Sequence, residues 1–253
     1  YVENIIWPET SSITLRGFDR ETTIIDGGGI GPVITLTDSV ENANISRFTI
    51  TNGHFEEDVN NPVYQRAGGI NIGTNIYSAT TAVLSDLHIT NNTGYSGGGI
   101  YCATGSFFDL SNSVIDQNTA SQGGGLFISG RFTIDSVDII NNNYGILFYY
   151  AQGEISNSKI SGNDTGMFIV GANWGVDGDW ESPGIIFDHV EIIDNVSGPY
   201  PEQINIWTGS SGSHLNNVLF NHVTIALTDP DNYNYSAIRT STGGLPSLPS
   251  INI

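Results

Sequence analysis

Three carboxylates alternate along one short loop: Asp177, Asp179 and Glu181 in the run VDGDWES. Oxygen ligands at that spacing, beside glycines that let the chain bend, can wrap a calcium ion, the one cofactor the sequence suggests. The loop lacks the length and the distal Glu of an EF-hand, and its plain alternative is a solvated acidic turn. Lys159 is the sole lysine. Aligned with the neighbouring repeats it falls between Asp138 and Glu191, with His189 close by. It could act as the base of a proton abstraction, with acids or calcium neutralising a uronate. The plain alternative is an exposed ion pair worth under about 1 kcal/mol, and Arg47 beside Asp86 is a pair of the same kind. A third group, Glu56, Glu57 and Asp58, shares a loop with His54, Tyr64 and Arg66 and could supply the acid pair of a glycosidase. His88, His214 and His222 are scattered, and no zinc spacing emerges. The Gly-Gly-Gly runs are turn glycines and not phosphate loops, because no helix follows them.

Chemistry of another kind lies in an aromatic stripe. If strands such as GIYC, GLFI, GILF and GMFI alternate inward and outward, then Tyr101, Phe127, Leu147 and Phe168 form one outward column, and Tyr149, Val170 and Trp207 the next. A solvated sheet face should be polar there, so the stripe needs a cover. Sugar rings stacking on a flat platform would provide one. The loop bearing Trp174 and Trp180 folding back, or a neighbouring domain of the same chain, would provide another.

The elements that must position these groups are repeats. A six-residue apolar strand motif recurs as ISRFTI from Ile45, LSDLHI from Leu84, LSNSVI from Leu110, IDSVDI from Ile134, ISNSKI from Ile155, FDHVEI from Phe187 and LNNVLF from Leu215. After each comes an Asn-centred corner, one or more glycines and a second strand. Asn92, Asn118, Asn142, Asn163 and Asn195 fall at the corner, where asparagine tolerates left-handed backbone and can form a ladder of stacked side chains. The sequons at Asn163 and Asn195 then follow from the ladder rather than from glycosylation. Alternation buries Ile70, Ile72, Ile100, Cys102, Leu126, Ile128, Ile146, Phe148, Met167, Ile169, Ile204 and Ile206. Long departures from the minimal repeat, at 53–67, 171–184 and 196–202, are where function resides in such arrays.

Composition agrees with an array of short strands. The chain has 253 residues with 31 glycines, and its 26 acids against 7 bases give a net charge of -19. That field repels phosphate backbones and anionic membranes, so nucleic acid is a poor partner. No apolar run is long enough for a bilayer-spanning helix, so no membrane insertion is expected. Cys102 is the only cysteine, which rules out an intramolecular disulfide and points to a small buried apolar residue.

Tyr1-x-Glu3-Asn4-Ile5, Ile13-Thr14-Leu15-x-Gly17 and Thr23-Ile24-Ile25-Asp26-Gly27 resemble the opening of secreted right-handed parallel β-helix proteins of the pectin-lyase-like superfold. In that family the Tyr follows a valine-rich strand and a Pro-Gly-Thr turn, so the chain is expected to derive from a longer one. The resemblance implies an all-β, single-stranded right-handed parallel β-helix of about seven to eight coils. It would occupy residues 1–240, with 241–253 as a cap remnant or linker. It further implies a secreted or cell-surface location, and polysaccharide as the partner class. The paired Asp-Asp with Gly-His-Gly of polygalacturonase-like members has no counterpart here, nor has the pectinesterase pattern. The expectation is therefore a non-catalytic module that binds glycan or a neighbouring surface through the stripe. A polysaccharide lyase or glycoside hydrolase is the alternative, and a structural spacer a third reading.

Overall fold

A computed structural model of the chain describes residues 1–55, 67–75, 79–172, 184–195, 203–208, 218–226, 237–242 and 251–252. Among these residues the regular structure is all strand, without an α-helix. Each repeat contributes strands to three columns, and in every column the strand of one repeat pairs in parallel with that of the next, a solenoid-like arrangement.

The first column runs through Thr14–Arg16, Ala43–Ser46, Thr81–Ser85, the leading halves of Phe107–Asp116 and Arg131–Ile140, the end of Tyr144–Ser156, Ile185–Asp188, Val218–Asn221 and Ile251–Asn252. The second passes through Ile24–Asp26, Thr49–Thr51, His88–Thr90, the trailing halves of the same two long strands, Lys159–Ser161, Glu191–Ile193 and Thr224–Ala226. The third is Ile5–Ile6, Ile34–Leu36, Ile70–Ile72, Ile100–Cys102, Leu126–Ile128, the start of Tyr144–Ser156, Thr165–Ala172, Ile204–Thr208 and Ile238–Thr242. Pairing thus continues past residue 240, to Asn252.

The core is the space between the columns. All twelve second-strand residues expected inside, from Ile70 to Ile206, are no more than 1% exposed, Cys102 among them. Burial pushes the Cys102 thiol pKa well above its ordinary value.

The six-residue motif is not one alternating strand. Its third residue takes a left-handed conformation in repeat after repeat: Arg47, Asp86, Asn112, Ser136, Asn157 and His189 have φ between 47° and 65°. The seventh copy is not LNNVLF from Leu215, because Phe187 pairs with Phe220; it is FNHVTI from Phe220, and its third residue, His222, has φ of 50°. That residue bends the chain from the first column into the second. Inward positions therefore fall at the first, fourth and sixth residues, as in Ile45, Phe48 and Ile50. Where the fourth is serine, its hydroxyl takes over a backbone partner: Leu87 N donates to Ser113 Oγ (3.0 Å) and Val137 N to Ser158 Oγ (3.1 Å).

The second corner corrects another expectation. The asparagine ladder forms, but its members are not the left-handed residues. Asn91, Gln117, Asn141, Gly162 and Asp194, one position earlier, carry the positive φ. This frees each ladder asparagine to turn inward. Asn92 N donates to Asn118 Oδ1 (3.0 Å), Asn118 N to Asn142 Oδ1 (2.9 Å), Asn142 N to Asn163 Oδ1 (2.9 Å) and Asn163 N to Asn195 Oδ1 (3.1 Å). Gln203 Oε1 receives Asn195 N and ends the run (3.1 Å). Each amide nitrogen donates onward to buried carbonyls, Asn142 Nδ2 to Ile115 O and Ile140 O, both at 3.0 Å. Asn163 and Asn195 are fully buried, so neither sequon offers its amide for glycosylation in the folded chain.

The glycine runs divide their labour. Gly97 and Gly123 make left-handed turns, whereas Gly99 and Gly125 permit close stacking: a Cβ on Gly99 would lie 2.7 Å from the carbonyl oxygen of Gly125, and one on Gly125 2.5 Å from that of Gly145. Adjacent turns meet backbone to backbone there, which excludes any side chain.

Candidate functional site

Outward residues of the third column follow the register read from the sequence. Tyr101 pairs with Phe127, Phe127 with Leu147 and Leu147 with Phe168, while Tyr149 pairs with Val170 and Val170 with Trp207. Their exposure differs along the stack. Tyr101 and Phe127 are 6% and 5% exposed, stacked on one another at 5.5 Å and packed with Ala67, Ala103 and Leu147 in a second apolar cluster. Tyr149 and Trp207, by contrast, are 44% and 40% exposed. The upper end of the stripe is an anchoring cluster, and the lower end is open.

At that open end Leu147, Tyr149, Phe168, Val170 and Trp207 line a groove of about 480 Å³, with Tyr144, Ser121 and Gln122 on its border. None of these residues carries a charge, in a chain with 26 acids. Ser121 and Gln122 belong to a short parallel pairing of Thr93–Ser96 with Thr119–Gln122 that follows the asparagine corner. Tyr149 is held by two neighbours, Phe127 at 6.2 Å and Tyr150 edge-on at 4.8 Å. Tyr149 and Trp207 are two rungs apart, about 10 Å along the stack. The sequence reading missed Tyr144, Ser121 and Gln122. Tyr144 opens a long strand, and Ser121 and Gln122 close a four-residue strand outside the two repeated strand motifs, so the alternation of those motifs assigns them no face.

The candidate catalytic groups do not converge comparably. Lys159 is exposed and sits in register between Asp138 and Glu191 as expected, but among the described residues it makes no ion pair within 4.0 Å. Arg47 does meet Asp86, at 3.5 Å, and Arg20 joins them at 3.6 Å. Glu56, Glu57 and Asp58, the calcium candidates Asp177, Asp179 and Glu181, and the covering candidates Trp174 and Trp180 lie outside the described residues.

His189 has a different setting from the one expected. Its Nδ1 lies 3.1 Å from Asp188 Oδ1, and Nδ1 of His222 lies 3.4 Å from the same oxygen. Hydrogen bonding to His189, reinforced by His222, holds the Asp188 carboxyl below its ordinary pKa. In sequence His222 is remote, and the solenoid brings it next to His189. The signal was available: Asp188-His189-Val190 and Asn221-His222-Val223 occupy the same place in the repeated motif.

No protein-family model, curated protein or solved structure matches this chain.

Proposed function

We propose that the chain is a non-catalytic extracellular or cell-surface module, a right-handed parallel β-helix of about seven to eight coils of the pectin-lyase-like kind, that binds a neutral glycan along the Tyr149–Trp207 groove. The handedness rests on the near-universal right-handed crossover between parallel strands. The observation that carries the binding reading is the pair of open aromatic side chains, Tyr149 and Trp207, in a groove whose described lining residues carry no charge, on a strongly acidic protein. An apolar ring face with a polar border suits the faces and hydroxyls of a pyranose, and aromatic platforms lose little conformational entropy on binding. A uronate polymer would meet the repulsive field of a -19 chain, which favours a neutral polymer.

The test is affinity electrophoresis of the purified chain through gels containing neutral or acidic polysaccharides, with polymer size followed in parallel by chromatography. Retardation on a neutral polymer with unchanged polymer size is the expected result. Shortening of a polymer would favour the lyase or hydrolase reading, and no retardation on any polymer the spacer reading.

A further inference from the structure

Away from the groove, at the bend between the first and second columns, we infer that Asp188, His189 and His222 form a surface site for a borderline divalent transition-metal ion, represented by Zn²⁺. The three residues each offer one ligand atom, and these atoms lie within 4.8 Å of one another. Two imidazoles and a carboxylate are the donor set such ions favour over the all-oxygen shells of calcium and magnesium. A tetrahedral ion with bonds near 2.0–2.1 Å places its ligand atoms about 3.3 Å apart. The observed separations from Asp188 Oδ1, 3.1 Å to His189 Nδ1 and 3.4 Å to His222 Nδ1, bracket that edge.

The backbone fixes this geometry. Asp188 pairs with Asn221, so the two histidines follow at equivalent points of neighbouring turns, both left-handed, with φ of 54° and 50°. His189 N donates to Asn221 O at 3.0 Å, which ties the two bends together. The rings stack with centroids 4.4 Å apart and planes at 23°. An ion in the plane of both rings requires them to hinge apart, and side-chain exposures of 57% and 72% leave room for it. Asp135 occupies the equivalent acidic position earlier in the array. There Ser136 Oγ (3.0 Å), at the place of His189, and Asn157 Nδ2 (2.7 Å), at the place of His222, donate to it. Exchanging such donors for imidazoles, which can also act as ligands, turns an ordinary inter-turn contact into a chelating cluster. Three protein ligands leave at least one coordination position open to water or another ligand.

The experiment is calorimetric titration of the full chain, free of any affinity tag, with ZnCl₂ and NiCl₂ at neutral pH. Wild type is compared with His189→Asn and His222→Asn. Asparagine already stands at this bend as Asn112 and Asn157, so both variants keep the left-handed backbone and the fold, which circular dichroism verifies. Expected are one saturable site in wild type, affinity weakened at least about tenfold in each variant, and no competition from calcium. Absence of saturable binding at millimolar metal overturns the proposal. So does wild-type affinity in both variants, because the metal would then sit elsewhere.

Discussion

Replacing Asn142 by glycine should be far more damaging than replacing its neighbour Asn141 by glycine. Asn142 is buried, and its Oδ1 accepts the Asn118 N–H while its Nδ2 donates to the carbonyls of Ile115 and Ile140. Asn142→Gly deprives the Asn118 N–H and the Ile115 carbonyl of a partner, and each stranded buried group costs about 1–3 kcal/mol. Glycine adds about 0.5–1 kcal/mol of backbone entropy. The sum is about 2.5–7 kcal/mol, a large share of the roughly 5–15 kcal/mol that stabilises a domain. Asn141 is exposed with φ of 55°. There glycine relieves a left-handed backbone, worth about 1–2 kcal/mol for an ordinary residue and less for asparagine, and the same entropy offsets it. Asn141→Gly should therefore stay within about 1 kcal/mol of wild type. Urea unfolding followed by circular dichroism reads both as shifts of the midpoint. Equal shifts, or a neutral Asn142→Gly, would refute the division between a residue that turns the chain and a residue that ties the turns together.

Gly125→Ala should lower stability by about 1–3 kcal/mol in the same assay, because the new methyl group meets the Gly145 carbonyl and adjacent turns must separate; an unchanged midpoint would contradict the close stacking. Ile128→Asp puts a carboxylate in the fully buried centre of the third column, and the strand signal in far-ultraviolet circular dichroism should be lost at neutral pH. A folded variant would mean the side chain faces outward. Hydrogen bonds from Asn157 and then Ser156 hold the Asp135 pKa below its ordinary 3.8. A depressed folded pKa stabilises the protein above that value and the contribution fades as pH falls through the lowered one. Wild type should therefore lose stability more steeply than Asp135→Asn below about pH 4, and parallel acid-unfolding curves would remove Asp135 from the account.

The core and the stacking order were readable from the sequence because they depend on period alone, except in the last coil, where Phe220 and not Leu215 stacks on Phe187. Ile100, Leu126, Ile146 and Met167 each follow a glycine that brings the next turn close, and each is buried in register. Backbone detail was less readable. An asparagine at a corner can serve through its left-handed backbone or through its amide, and composition does not separate the two. Only Gly162, standing immediately before Asn163, marks which position carries the positive φ. The bend at Arg47 or Ser136 was hidden for a related reason, since neither residue type favours left-handed backbone and stacking with adjacent turns overrides propensity. In the aromatic stripe, alternation assigned the outward direction of Tyr101 and Tyr149 alike. It could not assign exposure, which depends on whether Ala67 and Ala103 pack alongside, as they do for Tyr101.

The most direct test of the binding account is the affinity of the neutral polysaccharide that most retards the wild-type chain, measured for Tyr149→Ser, Trp207→Ser and the double variant. Both side chains are partly exposed, so the fold should persist while truncating either costs at least about 1 kcal/mol of binding, or roughly fivefold in Kd, and the pair more. Unchanged affinity in the folded double variant would contradict the groove as the binding site.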